Sequence, residues 1–362
     1  MPPDGTPTAD ASAAMRALVL HGVGDLRIEP IGRPRPGPGQ VRVRIGFCGV
    51  CGSDIPRIFV KGTYRFPTVC GHEMAGTVDF CGEGVDDLKP GDPVAVFPLL
   101  WCGRCAACER GAYVQCHDYD YLGSRRDGGF AECVVAPRRN LIRVPEGVSI
   151  EEAAMTEPAA VALHALKRAG SCAPGETAAI FGLGPIGLMV AQWARAMGAS
   201  RVVLFDVAPA KVEFARRLGF PQAFDSRERD PVETLGSLTC GEGAHVSVDA
   251  AGAPPALVAA LRAVRRGGRV VILGNPSGDV SLPAALISQL MRREAAVFAT
   301  WNSEYSAAGN DDDWRASLEA MASKKLDLRP LITHRVPLAE SRGVLEAIRD
   351  GRGFFEKVLI HP

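Results

Sequence analysis

Thr177-Ala-Ala-Ile-Phe-Gly-Leu-Gly-Pro-Ile-Gly187 runs directly into Leu188-Met-Val-Ala-Gln-Trp-Ala-Arg-Ala-Met197. An apolar run, a glycine-spaced loop and a long helix-forming stretch read as strand, tight turn and helix. Gly182-Leu183-Gly184-Pro185-Ile186-Gly187 is the G-x-G-x-x-G pattern of dinucleotide sites. In that pattern Gly182 makes the tight turn, Gly184 lets the backbone approach a pyrophosphate, and Gly187 allows close packing of helix on strand. The pyrophosphate rests on the helix N-terminus, where unsatisfied N–H groups and the dipole favour anions. Glycines also serve ordinary turns, so the context matters: a strand precedes, a helix follows, and Asp206 ends the next apolar run, 24 residues beyond Gly182. Asp206 can accept hydrogen bonds from both adenosine ribose hydroxyls and repel a 2′-phosphate, which points to NAD rather than NADP. A helix cap or turn is the plain alternative for this residue. Lys211 is expected near the adenosine, facing solvent.

Working outward, Arg201-Val-Val-Leu-Phe205, Val246-Ser-Val-Asp249 and Arg269-Val-Val-Ile-Leu273 repeat the buried-strand texture between alanine-rich helical stretches from about Ser149. This is βαβ organisation with both faces of a parallel sheet covered. Before it, from Met15 to about Val148, the chain is rich in Gly and Pro and carries short β-type runs. Val41-Arg-Val-Arg-Ile45, Gly76-Thr-Val-Asp-Phe80 and Pro93-Val-Ala-Val-Phe97 are separated by Gly-Glu-Gly-Val and Lys-Pro-Gly-Asp turns. They predict a small β-rich domain, with Val41, Val43 and Ile45 sharing one face. The segment from about Trp314 fits either domain by pattern.

The class is therefore α/β, and 362 residues suit about two domains. Lys plus Arg and Asp plus Glu both number 41, which gives no electrostatic reason to expect a nucleic-acid or anionic-membrane partner. No apolar run reaches the roughly 20 residues of a spanning helix. The first 14 residues lack the basic and apolar regions of a signal peptide and read as a disordered tail. A cytoplasmic setting is the expectation, and reduced thiols fit it.

Cys102, Cys105, Cys108 and Cys116 form a C-x2-C-x2-C-x7-C cluster. Four soft ligands in one short stretch point to a closed, structural zinc site. An iron–sulfur cluster is the rival, but the third gap is seven residues and no Cys-Pro follows. Disulfides are disfavoured by the odd count of 11 cysteines and by a chain too long to need staples. Outside this stretch, Cys51-Gly-Ser-Asp54 and Gly71-His-Glu73 offer Cys51, His72 and Glu73 to a second, mixed-ligand metal site. The same residues equally read as a small buried thiol and a satisfied loop histidine.

Gly71-His-Glu-Met-Ala-Gly76 followed by Gly82-Glu-Gly-Val85 matches the G-H-E-x2-G-x5-G-x2-V signature. With Cys51 before it, the cysteine stretch and the glycine loop after it, the chain resembles the zinc-containing medium-chain alcohol dehydrogenases. The resemblance spans Met15 to Pro362 and implies a GroES-like catalytic domain with a Rossmann NAD domain inserted. The implied division is a tail over 1–14, a catalytic domain over 15–155 with the structural zinc lobe, a Rossmann domain over 156–299, and a return over 300–362. It also implies that Cys51 and His72 hold a catalytic zinc, with Glu73 as ligand or near neighbour. Glu157 in Met-Thr-Glu-Pro158 stands where alcohol dehydrogenases often have a cysteine, which is similar to the sorbitol branch. Ser53 resembles the hydroxyl that relays the alcohol proton, and Asp54 resembles the residue that orients the His72 ring.

Cys51–Phe59, Tyr121–Glu132 and the Thr300-Trp-Asn302 region further resemble galactitol-1-phosphate 5-dehydrogenases. The implied reaction is reversible, NAD-linked oxidation of a secondary alcohol of a polyol or sugar-alcohol phosphate to a ketone, by a homodimer or homotetramer. Arg125 and Arg126 are candidate phosphate contacts; a solvated pair, or one tied to Asp127, is the plain alternative. An unphosphorylated polyol or a cyclitol is the rival substrate. A non-catalytic, zinc-bearing NAD-sensing or structural protein is the rival class, opposed by the intact Cys51, His72, Glu73 and Glu157 set.

Overall fold

The computed structural model describes residues 9–307 and 311–362, with side chains from residue 14. Two compact units divide the chain, one ending at Glu157 and resuming over Glu304–Pro362, the other Pro158–Ser303. The sequence boundaries at 155/156 and 299/300 thus fall two and four residues short of these divisions.

The first unit is built on a seven-stranded sheet. Its order is Leu141–Arg143, Pro93–Val96, Glu73–Cys81, Gln40–Gly49, Lys357–His361 and Ile332–Pro337, with Cys133–Pro137 also paired to Gln40–Gly49. Val41, Val43 and Ile45 are all buried, as the period of two predicts. Bulges in the Gln40–Gly49/Glu73–Cys81 ladder lie between Arg42 and Val43 and between Ile45 and Phe47. Gly76 sits opposite Ile45, where a Cβ would lie 1.9 Å from the Arg44 carbonyl oxygen. Only a residue without a side chain fits that approach.

The last strand returns to the first domain's sheet, Leu359 pairing with Gly49 and Ile360 with Cys48 in antiparallel register. Helix Asp313–Ala322 belongs to this unit as well. Trp314 is fully buried there, edge-on to Phe97 at 5.3 Å. Tyr305 stacks on Phe97 at 4.1 Å. Aromatic burial, which pattern does not reveal, thus assigns the segment that composition left open.

A second, three-stranded sheet has the order Asp25–Pro34, Ala9–Gly22, Thr68–Val69. Here the expected tail is corrected. The strand begins at Ala9, pairing with Pro34, and Ala14 pairs with Gly32. Ladder partners on Asp25–Pro34 order a stretch whose composition alone has little reason to fold. Residues 1–8 lie outside those described.

The second unit is a six-stranded parallel sheet. Its order is Ala223–Asp225, Arg201–Asp206, Thr177–Phe181, Ala244–Asp249, Val264–Ile272, Ala296–Ala299. In chain order this is 3-2-1-4-5-6, the doubly wound arrangement. The order reverses between Thr177–Phe181 and Ala244–Asp249, so the crevice beyond their carboxyl ends is where such sheets bind ligands. Among the described residues, no helix is long and apolar enough to cross a membrane.

Candidate metal centres and cofactor loop

The four-cysteine stretch forms a small lobe in which all four sulfurs lie within 4.8 Å of one another. Cys105 Sγ is 3.5 Å from Cys108 Sγ and 3.9 Å from Cys116 Sγ, and Cys102 Sγ is 3.9 Å from Cys108 Sγ. All eleven cysteines are free thiols. Tetrahedral zinc with Zn–S bonds of about 2.3 Å places its sulfurs roughly 3.8 Å apart, so the spacing fits one ion and not a bridge. Backbone N–H groups aimed at Cys105 lower its thiol to about 6, whereas burial pushes Cys116 up to about 12. A divalent cation lets such unlike thiols ionise together. The lobe is anchored by rings: Trp101 stacks on Tyr113 at 4.3 Å, and the Arg139 guanidinium lies over Trp101 at 4.2 Å.

The second cluster is assembled by three segments. Cys51 follows strand Gln40–Gly49, and Asp54 opens the helical turns Asp54–Pro56 and Arg57–Lys61. His72 immediately precedes strand Glu73–Cys81, which Glu73 opens; before them stands Gly71, whose φ of +90° and tight space against Cys48 and Phe130 exclude a side chain. Ligand atoms of Cys51, His72 and Glu73 all lie within 4.8 Å of one another. The His72 Nδ1 has no hydrogen-bond partner and stands 3.4 Å from Asp54 Oδ1. Asp54 is itself fixed, accepting from Cys51 N at 3.0 Å and from Arg57 Nη1 at 2.6 Å. Burial opposes charge on His72, yet Asp54 and Cys51 hold its pKa well above the ordinary value. A half-buried thiol gathered with a buried imidazole and carboxylate forms a donor set that suits zinc. Ser53 Oγ lies 3.3 Å from Cys51 Sγ and 3.5 Å from Arg57 Nη2.

Glu157 stands beside this trio rather than within it. The Tyr121 hydroxyl donates to its Oε1 at 3.4 Å, and burial pushes its carboxyl up to about 7 against the opposite pull of His72. Sequence reasoning missed two neighbours. The Tyr121 ring meets His72 edge-on at 5.8 Å. Lys357, at the start of the last strand, pairs directly with Glu73 and donates to the Val50 carbonyl at 3.3 Å. A lysine inside a buried β-run, Lys357-Val-Leu-Ile, was the available signal. Gly49 makes room for that pair, since a Cβ there would lie 2.1 Å from Glu73 Oε2.

In the second unit the glycine loop has the expected form. Gly182 has φ +99°, and its Cβ would lie 2.7 Å from Ala251 N; a Cβ on Gly187 would meet the Gly182 carbonyl oxygen at 1.9 Å. Gly184 caps helix Pro185–Ala196 without a side-chain hydrogen bond. Asp206 ends its strand, its Oδ2 accepting from Leu183 N at 2.7 Å and its Oδ1 from Ala208 N at 2.8 Å. The carboxylate is therefore tied to the loop as well as placed beside it. Lys211 is half-buried, with its Nζ 3.6 Å from the position of a Cβ on Gly184. Arg126 pairs with Asp120 at 2.6 Å, and Asp127 pairs instead with Arg65 at 3.0 Å.

Residues 37–146 match the alcohol dehydrogenase GroES-like domain, and residues 185–323 match the zinc-binding dehydrogenase domain. The chain is 37% identical to galactitol 1-phosphate 5-dehydrogenase of Escherichia coli K12, over 86% of this chain and 88% of that protein. The crystal structure of the Escherichia coli galactitol-1-phosphate dehydrogenase superposes with a TM-score of 0.89 at 35% identity, covering 96% of this chain and 100% of the other. Sorbitol dehydrogenase of Bacillus subtilis is 32% identical, over 96% of this chain and 97% of that protein. A zinc-binding dehydrogenase from Sinorhizobium meliloti 1021, solved bound to NADP, gives a TM-score of 0.87 at 29% identity and covers 97% and 100%. The chain belongs to the zinc-binding medium-chain dehydrogenase family.

Metal held by the four-cysteine lobe should act through folding. Cys105→Ser is expected to lower bound zinc by about one ion per chain and expose the lobe to proteolysis. Zinc quantification and limited proteolysis read this out, and a variant with unchanged metal content would remove the site.

Proposed function

We propose that this protein is a zinc-dependent, NAD-linked dehydrogenase that reversibly oxidises a secondary alcohol of a polyol or sugar-alcohol phosphate to a ketone. The observation that carries this reading is the convergence of Cys51, His72 and Glu73 on one point with Glu157 beside it. A sensing or structural protein has no need for that buried arrangement. In this reading Cys51 and His72 hold the catalytic ion, with Glu157 and Glu73 completing or adjoining its shell. Zinc bound there supplies Lewis acidity toward the alcohol oxygen, and NAD+ supplies the hydride acceptor. Ser53 Oγ accepts the alcohol proton and passes it outward. Asp54 holds the His72 ring, and Arg57 steadies both Asp54 and Ser53.

The named relatives act on a sugar-alcohol phosphate and on a free polyol, which supports the substrate class and leaves the free polyol or cyclitol as the second reading. Turnover with NAD across hexitols, their monophosphates and aminocyclitols separates these. His72→Ala should lower turnover by more than about 100-fold, beyond the loss typical of changes in residues behind a metal ligand, while NAD affinity stays within a few-fold of wild type. Full activity of that variant would end the zinc mechanism.

Asp206 is proposed to select NAD. Each of its oxygens keeps a second acceptor position beyond its backbone partner, enough to take the two ribose hydroxyls. A relative of the same fold was solved with NADP, so the fold alone does not fix the choice, which this reading assigns to the carboxylate. Asp206→Ala should narrow the NAD-over-NADP ratio of kcat/KM, chiefly through loss with NAD. A wild-type preference for NADP would refute the role.

A homodimer or homotetramer in the cytoplasm completes the proposal. The edge strand Ala296–Ala299 leaves Val297 46% exposed, and Met291 on the neighbouring helix Ala284–Arg293 is 74% exposed. An unpaired strand edge beside apolar side chains favours a second chain. Sedimentation equilibrium should give twice or four times the 38.4 kDa chain mass, and a monomer mass would reject the assembly.

A further inference from the structure

The turn after Tyr121 carries two adjacent arginines in unlike surroundings. Arg126 Nε donates to Asp120 Oδ2 at 2.6 Å, so its charge is already matched. The other two acidic side chains of this stretch are engaged elsewhere: Asp118 pairs with Arg104 at 2.9 Å, and Asp127 pairs with Arg65 at 3.0 Å. Arg125 is thereby left without a carboxylate partner among the described residues. Its guanidinium lies over the rings of Tyr64 and Tyr119, 4.2 and 4.5 Å from their centroids, and Nη1 donates to the Tyr119 carbonyl at 3.2 Å.

The loop that supplies Tyr64 is fastened to the turn that supplies Arg125. Asp127 accepts from Val69 N at 3.0 Å in addition to pairing with Arg65. The Thr63 and Thr68 hydroxyls both donate to the Arg65 carbonyl at 2.6 Å. At the loop's start Gly62 has φ +80°, and a Cβ there would press on the Phe66 ring at 2.9 Å. Arg125 is thus held by two rings and one carbonyl, and its other N–H groups are left for a ligand. That planar fork matches two oxygens of a phosphate.

The turn is also joined to the metal cluster. The backbone N–H groups of Arg125 and Arg126 both donate to the Tyr121 carbonyl, at 2.9 and 3.0 Å. Tyr121 reaches Glu157 with its hydroxyl and His72 with its ring. One tyrosine thus touches the metal cluster with its side chain while its carbonyl anchors the turn that carries Arg125.

We propose that Arg125, stacked on Tyr64 and Tyr119, recognises the phosphate monoester of the substrate, and that Arg126 does not. This rests on the polyol reading above and narrows it to the phosphorylated class. A free polyol offers Arg125 no charge to pair with, so the same residue discriminates between the two.

The test uses zinc-loaded wild type, Arg125→Gln, Arg125→Lys and Arg126→Gln. Kinetics with NAD are measured on a hexitol monophosphate and on the same hexitol without phosphate. Calorimetric binding of the hexitol monophosphate and of inorganic phosphate to the NADH-bound enzyme is measured alongside. Loss of a charge-assisted pair should raise KM for the phosphate ester roughly 10- to 100-fold more in Arg125→Gln than KM for the free hexitol. Arg125→Lys should restore part of that difference, while Arg126→Gln should change both substrates in proportion. Equal losses on both substrates, or a phosphate-selective loss in Arg126→Gln in place of Arg125→Gln, would overturn the assignment. Turnover of neither hexitol by wild type would defeat the polyol reading by itself. In that case phosphate binding that disappears in Arg125→Gln upholds the anion site, and its absence from wild type overturns it.

Discussion

The first unit depends on a buried ion pair between residues 284 positions apart, Glu73 and Lys357. Each side chain is at most 2% exposed. Moving two charges out of water costs several kcal/mol per ion, and leaving one unpaired costs about 3–5 kcal/mol, so each needs the other. Meeting requires the final strand to dock in one register, with Leu359 opposite Gly49, and requires Gly49 to lack a side chain. Glu73, one of the clustered donors, therefore meets its counter-ion only when the end of the chain has returned. The pair is better understood as a condition on assembly than as a source of stability.

The same return segment reaches the other metal lobe. Tyr305 stacks on Phe97, and its hydroxyl donates to the Arg139 carbonyl, while Arg139 covers Trp101 and donates to its carbonyl at 2.8 Å. Trp101 in turn stacks on Tyr113 inside the cysteine loop. A lobe poor in apolar residues is so fixed from within by the ion its thiols fit and from outside by a run of rings. Loss of either support leaves the other working against the loop's entropy.

What could be read from sequence follows the range of the forces involved. The glycine loop was legible because Gly182 and Gly187 answer to local geometry: a positive φ and a 1.9 Å approach that no other residue tolerates. The cysteine cluster was legible because its ligands sit in one loop. Lys357 was not, since its partner is placed by strand pairing across the whole chain. Nor was the match of Arg126 with Asp120, where Asp127 was the nearer choice in sequence. Residues 9–14 were misread because composition describes a chain's solubility and not the strand waiting beside it.

Charge balance gives the metal cluster a finer order than its distances. Two acidic groups there already own a cation: Asp54 is matched by Arg57, and Glu73 by Lys357. Lys357 is held charged by Glu73 although burial opposes it, which keeps that match intact. The groups left over are the Cys51 thiol and the Glu157 carboxyl, the latter pushed up to about 7 by burial with no cation paired to it. A divalent ion bound there would be balanced by a thiolate and a carboxylate, with His72 a neutral third donor once the ion displaces its proton. On charge alone, Cys51 and Glu157 are the groups whose ionisation a divalent ion would compensate. Glu73, although it lies among the clustered donors, already has its counter-ion in Lys357.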